Sequence, residues 1–271
     1  MIRFWIAVIF LFRSIPCTAD SLQIVREIPL QARFFTTDPL GNLYVCRTDN
    51  SVIRMNPGGD TTGIFNEIRQ GTISSIDASN PLRILLHYPA YNQLIVLNNR
   101  MGRKSTLSLG KVTSGNQVSI CSSADGNIWI LDVASGDLLK TDESLNELQR
   151  YNLRISGLAL QWPVQMQESE RHLFIAEKNG DIHKLDLFAF PENTYHLNGT
   201  DLQVQNDIII LRKGSEILAT DIRTQQSSEL SIPESGDIMN IRVVGQKIYV
   251  LYHNKLSLFQ LIQSNNKAPQ R

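Results

Sequence analysis

The chain has five histidines, and none stands at a spacing that zinc sites use. A motif such as His-x-x-x-His brings two imidazoles to one metal ion. His172 and His183 fall on adjacent predicted strands and could approach each other, but a hydrogen-bonded strand histidine is the favoured interpretation. The other three are His87, His196 and His253. The sequence therefore predicts no metal ligand.

Motifs for nucleophilic catalysis or phosphate binding are absent from the sequence. It contains no Gly-x-Ser-x-Gly, no Walker loop and no Gly-x-Gly-x-x-Gly. Asp38, Asp125 and Asp132 begin short turns that supply fewer oxygens than a calcium loop needs. We predict no catalytic residue and no cofactor. An ion held by backbone carbonyls in a central channel would leave no sequence signal.

The N-terminal segment is typical of an export signal. Arg3 precedes nine apolar residues, Phe4–Phe12, a run too short to cross a bilayer and of the length found in signal peptides. Cys17 and Ala19 occupy the −3 and −1 positions of a cleavage site, which predicts removal of residues 1–19. The alternative is a lipoprotein with Cys17 as the lipidated residue. The predicted location is the periplasm or the outer membrane.

The remaining two cysteines, Cys46 and Cys121, leave two interpretations open. An oxidising compartment permits a disulfide if their Cα atoms come within about 7 Å. The favoured interpretation is that they are two separate buried thiols.

The charge balance argues against a nucleic-acid partner, and the hydropathy argues against a segment that spans a membrane. The chain has 26 basic and 26 acidic residues, and nucleic-acid binders usually carry a basic excess. No apolar run after the first segment approaches 18 residues, so no transmembrane segment is predicted. Association with a membrane would be peripheral or through a lipid anchor.

The elements that position these residues form a repeat. Apolar runs rich in β-branched and aromatic residues recur, each introduced by a polar turn. Their equivalent positions are Leu43, Leu94, Ile128, Leu173, Ile208 and Ile248, with a mean spacing of 41 residues. A period near 40 residues with four short strands indicates the blade of a β-propeller. The uneven first spacing of 51 residues predicts an insertion at residues 56–72.

Ring closure fixes the number of blades and the domain limits. Leu22–Ile28 is a strand left over at the start, and the last unit supplies three strands. Pairing the first strand as the outer strand of the last blade closes the ring and protects an edge. The sequence predicts an all-β, six-bladed β-propeller over residues 20–262, followed by a flexible polar tail, residues 263–271.

Aromatic side chains at predicted strand ends and loops are candidate partner contacts, because aromatic residues often anchor protein interfaces. The alternative is that they fill the space between blades. The candidates are Phe35, Tyr88, Tyr91, Trp129 and Trp162.

Three segments resemble a group of uncharacterised exported propellers from Bacteroidota. They are Ile76–Tyr91, with its Asp-x-Ser-Asn-Pro stretch, Asp38–Tyr44 and Ser122–Trp129. The chain is more loosely similar to NHL-type and quinoprotein-like propellers. The resemblance implies a propeller fold and export, and it implies no particular activity.

Two hypotheses about function follow. The first is a non-catalytic module that binds a protein or a multi-protein complex of the cell envelope, such as an outer-membrane assembly or secretion complex. The alternative is an enzyme of the lactonase, lyase or quinone-dependent dehydrogenase type, with its site in the central channel. Such an enzyme predicts Asp, Asn, Glu or His side chains converging there beside a bound ion or cofactor.

Overall fold

The computed structural model describes residues 21–67, 69–234 and 236–262, which form six four-stranded antiparallel sheets. The predicted signal peptide, Cys17 and the polar tail lie outside the described residues. In each of blades 1 to 5, four consecutive strands run from the inner to the outer edge. Blade 1 contains β2 (Ala32–Thr37), β3 (Leu43–Arg47), β4 (Val52–Met55) and β5 (Thr61–Phe65). Blade 2 contains β6 (Ser75–Asn80), β7 (Arg83–Tyr88), β8 (Gln93–Asn98) and β9 (Arg103–Ser108).

The remaining blades follow the same plan. Blade 3 contains β10 (Val118–Ser122), β11 (Ile128–Asp132), β12 (Asp137–Thr141) and β13 (Glu147–Asn152). Blade 4 contains β14 (Pro163–Ser169), β15 (His172–Glu177), β16 (Asp181–Asp186) and β17 (Pro191–His196). Blade 5 contains β18 (Thr200–Gln205), β19 (Ile208–Lys213), β20 (Glu216–Asp221) and β21 (Ser227–Ser231). Blade 6 contains β22 (Ile238–Val244), β23 (Lys247–Tyr252), β24 (Lys255–Ile262) and β1 (Ser21–Pro29). Two single 3-10 turns occupy Pro89–Tyr91 and Leu109–Lys111.

The ring closes as the sequence predicts. β1 pairs antiparallel with β24, from Ser21 opposite Ile262 to Pro29 opposite Lys255. Each inner strand contacts the inner strands of both neighbouring blades, including β2 with β22. The six-bladed β-propeller with its N-terminal strand in the last blade is therefore confirmed. Among the described residues, no helix has the length and apolar character needed to cross a membrane.

Blade 2 differs from the sequence prediction in its register. Leu94, predicted from the sequence to be equivalent to residues of the second strands, lies in the third strand, β8, and the second strand of this blade is β7. The second strands begin at residues 43, 83, 128, 172, 208 and 247, so the repeat is more even than expected. The predicted insertion at residues 56–72 instead contains a tight turn and the outer strand β5.

The core is divided into six apolar clusters, one between each pair of adjacent blades. The second and third strands supply most of it and are buried almost throughout, whereas the outer strands are mostly exposed. Burial of a large apolar side chain contributes about 1.5–3 kcal/mol, so the stability of the ring lies in contacts between blades.

Candidate functional site

Two opposite faces of the propeller follow from the antiparallel order of the strands. One face, the linker face, carries the segments that join one blade to the next and the turns between second and third strands. The other, the hairpin face, carries the turns between first and second strands and between third and fourth strands. Loops at such faces are where a propeller contacts other molecules.

At the channel, side chains of one blade bond to the inner backbone of the next. An inner strand has a strand partner on one edge only, so its other edge needs donors and acceptors. The Gln167 amide supplies both for Val204: its Nε2 donates to the carbonyl at 2.9 Å, and its Oε1 accepts from the N–H at 3.1 Å. Gln203 pairs with Val243 in the same way, at 3.3 and 2.8 Å. We call these contacts between blades the polar belt.

Carboxylates of the inner strands belong to the same belt. Each accepts a hydrogen bond from a neighbouring blade, which satisfies a group that would otherwise be buried without a partner. The pairs are Asp77 with the Ser122 N–H, Glu168 with the Trp129 indole N–H at 2.6 Å, and Asp201 with the Ile241 N–H at 3.2 Å. These acids therefore hold the blades in register.

The belt continues through the two remaining junctions. Asn240 Oδ1 accepts from the Phe35 N–H at 3.0 Å and so joins blade 6 to blade 1. Arg33 Nη2 donates to the Ile73 carbonyl at 2.8 Å, while the Ile73 N–H donates to Asn50 Oδ1 at 2.9 Å. All six junctions thus contain at least one polar contact from side chain to neighbouring blade.

The aromatic candidates separate into two groups. Trp129, Tyr88 and Phe35 lie in the clusters between blades with at most 1% of their surface exposed. Tyr91 and Trp162 lie on the linker face with 58% and 61% exposed. The space-filling interpretation therefore describes the first three, and only the other two have surface available for a partner.

Trp162 belongs to an apolar segment of the linker between blades 3 and 4. Leu158 and Leu160 of this linker pack against the cluster between those blades. Ile155, Trp162 and Val164 point outward with 87%, 61% and 60% of their surface exposed. We call Ile155, Trp162 and Val164 the linker patch.

The linker patch is held by hydrogen bonds to blade 4 and has a basic margin. The Trp162 carbonyl accepts from the Lys178 N–H at 2.9 Å, and the Trp162 N–H donates to Glu177 Oε1 at 3.0 Å. Arg154 stands directly before Ile155 in the chain, and Lys178 lies beside Trp162. Within the ranges that the structure describes, neither basic side chain forms an ion pair with a carboxylate.

Beneath Trp162, the turn between β15 and β16 gathers Glu177, Asp181 and His183. One ligand atom from each lies within 4.8 Å of the others. His183 Nε2 is 3.1 Å from Glu177 Oε2, and Thr194 Oγ1 is 3.0 Å from Nδ1. His196 Nδ1 lies 2.6 Å from Asp181 Oδ1. This is the one group of three or more such side chains found among the described residues.

Both carboxylates of this cluster favour their ionised form. Burial alone would raise the pKa of Glu177, but hydrogen bonds from the Trp162 and Gln161 N–H groups and from His183 outweigh it and lower the pKa. The hydrogen bond from His196 lowers the pKa of Asp181. Sequence reasoning missed the cluster because it searched for histidine pairs. The available signal was Asp-x-His in a strand, whose period of two puts both side chains on one face.

The other reactive side chains are separate from one another. His87 is buried with its Nδ1 2.9 Å from Ser74 Oγ, and burial lowers its pKa to about 4. His172 pairs across the strands with Asp186, whereas His183 pairs with Ile175. Cys46 and Cys121 are free buried thiols in different clusters, as the favoured interpretation expected.

Comparison with known proteins gives the fold. No protein-family model matches the sequence, and no curated protein matches it. Among solved structures, a catalytically inactive virginiamycin B lyase from Staphylococcus aureus with quinupristin is similar over 90% of this chain and 100% of its own, with 13% identity and a TM-score of 0.64. BamB from Moraxella catarrhalis is similar over 89% of this chain and 100% of its own, with 12% identity and a TM-score of 0.55. The Pan2 WD40 domain of Neurospora crassa is similar over 92% of this chain and 98% of its own, with 10% identity and a TM-score of 0.62. At such identities the similarity shows a β-propeller fold and nothing finer.

Proposed function

We propose that the protein is a non-catalytic, exported scaffold that binds a partner protein of the cell envelope through the linker patch. The observation that carries the proposal is the exposure of Ile155 and Trp162 in the linker and of Val164 at the start of β14. Large apolar side chains that are exposed together mark interaction sites, and tryptophan is enriched among the residues that dominate binding energy.

The basic margin specifies the chemistry of the partner. Arg154 precedes Ile155, and its guanidinium donates to the Val133 and Ala134 carbonyls at 3.1 Å each. Lys178 donates its N–H to the Trp162 carbonyl. Within the described part of the chain, neither side chain has a carboxylate partner. Apolar side chains surrounded by acidic residues would therefore complement the patch, because opposite charges at the rim of an interface raise the association rate. We infer a protein partner that presents such a segment.

The acids of the inner strands accept hydrogen bonds between blades, and this favours a non-catalytic role. An enzyme with its site in the channel needs acids that are free to bind a substrate, a metal or a cofactor. Asp77, Glu168 and Asp201 each accept a hydrogen bond from the neighbouring blade instead. Diverting one of them to catalysis would remove a contact of the polar belt.

The proposed location is the periplasmic side of the envelope or the outer membrane, where the protein would be a subunit of an assembly or secretion complex. Support comes from the predicted export signal in residues 1–19 and from the resemblance to exported propellers of Bacteroidota. Fractionation of producing cells tests the location: recovery with the periplasmic or membrane fraction is expected, and recovery in the cytoplasm would contradict it.

Site-specific photocross-linking in producing cells tests the binding surface. A photoreactive amino acid replaces Ile155 in one variant and Leu82, equally prominent on the hairpin face with 67% exposed, in a control. We expect a discrete protein adduct from position 155 that weakens when Trp162→Ala is added. An absence of adducts at position 155, or the same adducts from both positions, would overturn the proposal.

A further inference from the structure

We propose that Glu177, Asp181 and His183 bind a divalent transition-metal ion and that Zn²⁺ is the ion their donors suit. Zinc takes histidine nitrogen and carboxylate oxygen at about 2.0–2.2 Å in a tetrahedral arrangement, which places the ligand atoms about 3.4 Å apart. One ligand atom of each residue already lies within 4.8 Å of the other two, and His183 Nε2 and Glu177 Oε2 are 3.1 Å apart. Small side-chain rotations complete the geometry.

The backbone brings the three residues together without a long loop. Glu177 is the last residue of β15, and Asp181 is the first residue of β16. Asp181 and His183 are two residues apart in one strand and share a face of blade 4. The short turn at Asn179 and Gly180 therefore fixes the distance from Glu177 to both, and the ion would find its ligands already placed.

The contacts around the ligands orient their side chains. Asp181 Oδ1 lies 2.6 Å from His196 Nδ1, and Asp181 Oδ2 accepts from Asn179 Nδ2 at 2.8 Å. Glu177 Oε1 accepts the N–H groups of Gln161 and Trp162, at 2.6 and 3.0 Å, which directs Oε2 toward His183. Thr194 Oγ1 lies 3.0 Å from His183 Nδ1 and can accept a hydrogen bond from the Nδ1–H. When the ion displaces the hydrogen bond between His183 Nε2 and Glu177 Oε2, that tautomer directs the Nε2 lone pair to the ion, which is the arrangement that hydrogen bonds to zinc-bound histidines enforce.

The donor set distinguishes among metals. A buried imidazole is a poor ligand for Ca²⁺ and Mg²⁺, which prefer oxygen, and a good ligand for Zn²⁺ and its neighbours in the transition series. His183 and Glu177 are both buried, with less than a tenth of their surface exposed. The negative charges of the Glu177 and Asp181 carboxylates balance the double charge of the ion. A water molecule would complete the coordination shell.

Calorimetric titration of the purified chain with Zn²⁺ is the direct test. We expect one ion per chain, with affinity lowered in His183→Gln and in Asp181→Asn by at least the roughly 10–100-fold that loss of an orienting contact causes, since each removes one ligand. Thr194→Val should lower affinity about 10–100-fold, the loss found when a contact that orients a ligand is removed. His172→Gln is the matched control, because His172 pairs with Glu192 at 3.3 Å in the same blade but has no third ligand; it should bind as the parent does.

A spectroscopic measurement locates the ion. Co²⁺ bound beside the Trp162 backbone should quench the fluorescence of that exposed indole, and Trp162→Phe should abolish the quenching while Zn²⁺ affinity is unchanged. Equal Zn²⁺ affinity in the parent, His183→Gln and Asp181→Asn would overturn the proposal, as would the absence of binding to a parent chain whose circular dichroism shows the β-propeller. Metal binding is measured without any partner, so its result is independent of the cross-linking test.

Discussion

Replacement of Gln167 by methionine tests whether the polar belt stabilises the ring. The Gln167 amide donates to the Val204 carbonyl at 2.9 Å and accepts from the Val204 N–H at 3.1 Å. Methionine has similar length and volume but neither donates nor accepts a strong hydrogen bond. The variant therefore leaves two backbone groups of the buried residue Val204 without their partner while the packing changes little.

The magnitude follows from those two groups. Each buried polar group left without a partner costs about 1–3 kcal/mol, so the free energy of unfolding should fall by about 3 kcal/mol. For a domain of this size the melting temperature falls by about 2–4 °C for each kcal/mol. The expected decrease is roughly 6–12 °C.

Urea and thermal denaturation followed by circular dichroism provide the measurement. Gln149→Met is the matched control, because Gln149 is exposed on the outer strand β13, and surface substitutions change stability by less than about 0.5 kcal/mol. If Gln167→Met unfolds within 0.5 kcal/mol of the control, the bonds of the belt do not stabilise the ring, and the structural role given to the inner-strand acids loses its basis.

Two further predictions concern buried titratable groups. Burial lowers the pKa of His87 to about 4, so the unfolded chain, with a histidine pKa of about 6.5, binds the proton more readily; stability should therefore fall as pH drops from 6.5 toward 4. Denaturation of the parent at pH 7 and pH 4.5 should show a loss roughly 2–3 kcal/mol larger than that of His87→Leu, and an equal loss in both would contradict it. Burial raises the pKa of Cys46 to about 11 and raises that of Cys121, so a maleimide at pH 8 should label neither thiol in the folded chain and both after unfolding. Thiols that stay unlabelled after unfolding would indicate the disulfide.

The second strands were the part of the fold most accessible to sequence reasoning. They are buried on both faces, as in Ile128–Asp132 and Leu43–Arg47, and so form uninterrupted apolar runs. The outer strands were missed because one face is exposed and the apolar signal is weak, as in β9, Arg103–Ser108. Polar inner strands give a weak signal for a related reason: β6, Ser75–Asn80, has few apolar residues, and its Asp77 belongs to the belt. Without a clear signal from β6, Leu94 of the third strand is placed at a second-strand position.

Residue type alone does not tell which aromatic side chains are exposed and available for binding. Trp129 and Trp162 both stand near strand ends in the sequence, but Trp129 falls within the second strand β11 and Trp162 falls in a linker. A second strand is covered by both neighbouring blades, whereas a linker has one face in solvent. Assigning each aromatic residue to its strand position within the blade would therefore have separated the two groups from the sequence alone.

The arrangement of polar groups explains why the candidate sites lie on the linker face and not in the channel. Side chains of the inner strands bond to the unpaired backbone edge of the neighbouring inner strand at four of the six junctions. The strands on either side of the turn after β15 are paired on both edges, so this turn has no unpaired inner edge to satisfy. The turn after β15 can therefore bring Glu177, Asp181 and His183 close together and hold Trp162 beside them without removing a hydrogen bond between blades. On this reasoning, substitutions in the belt should lower stability and leave the binding surface intact. Substitutions on the linker face should weaken binding and leave stability nearly unchanged.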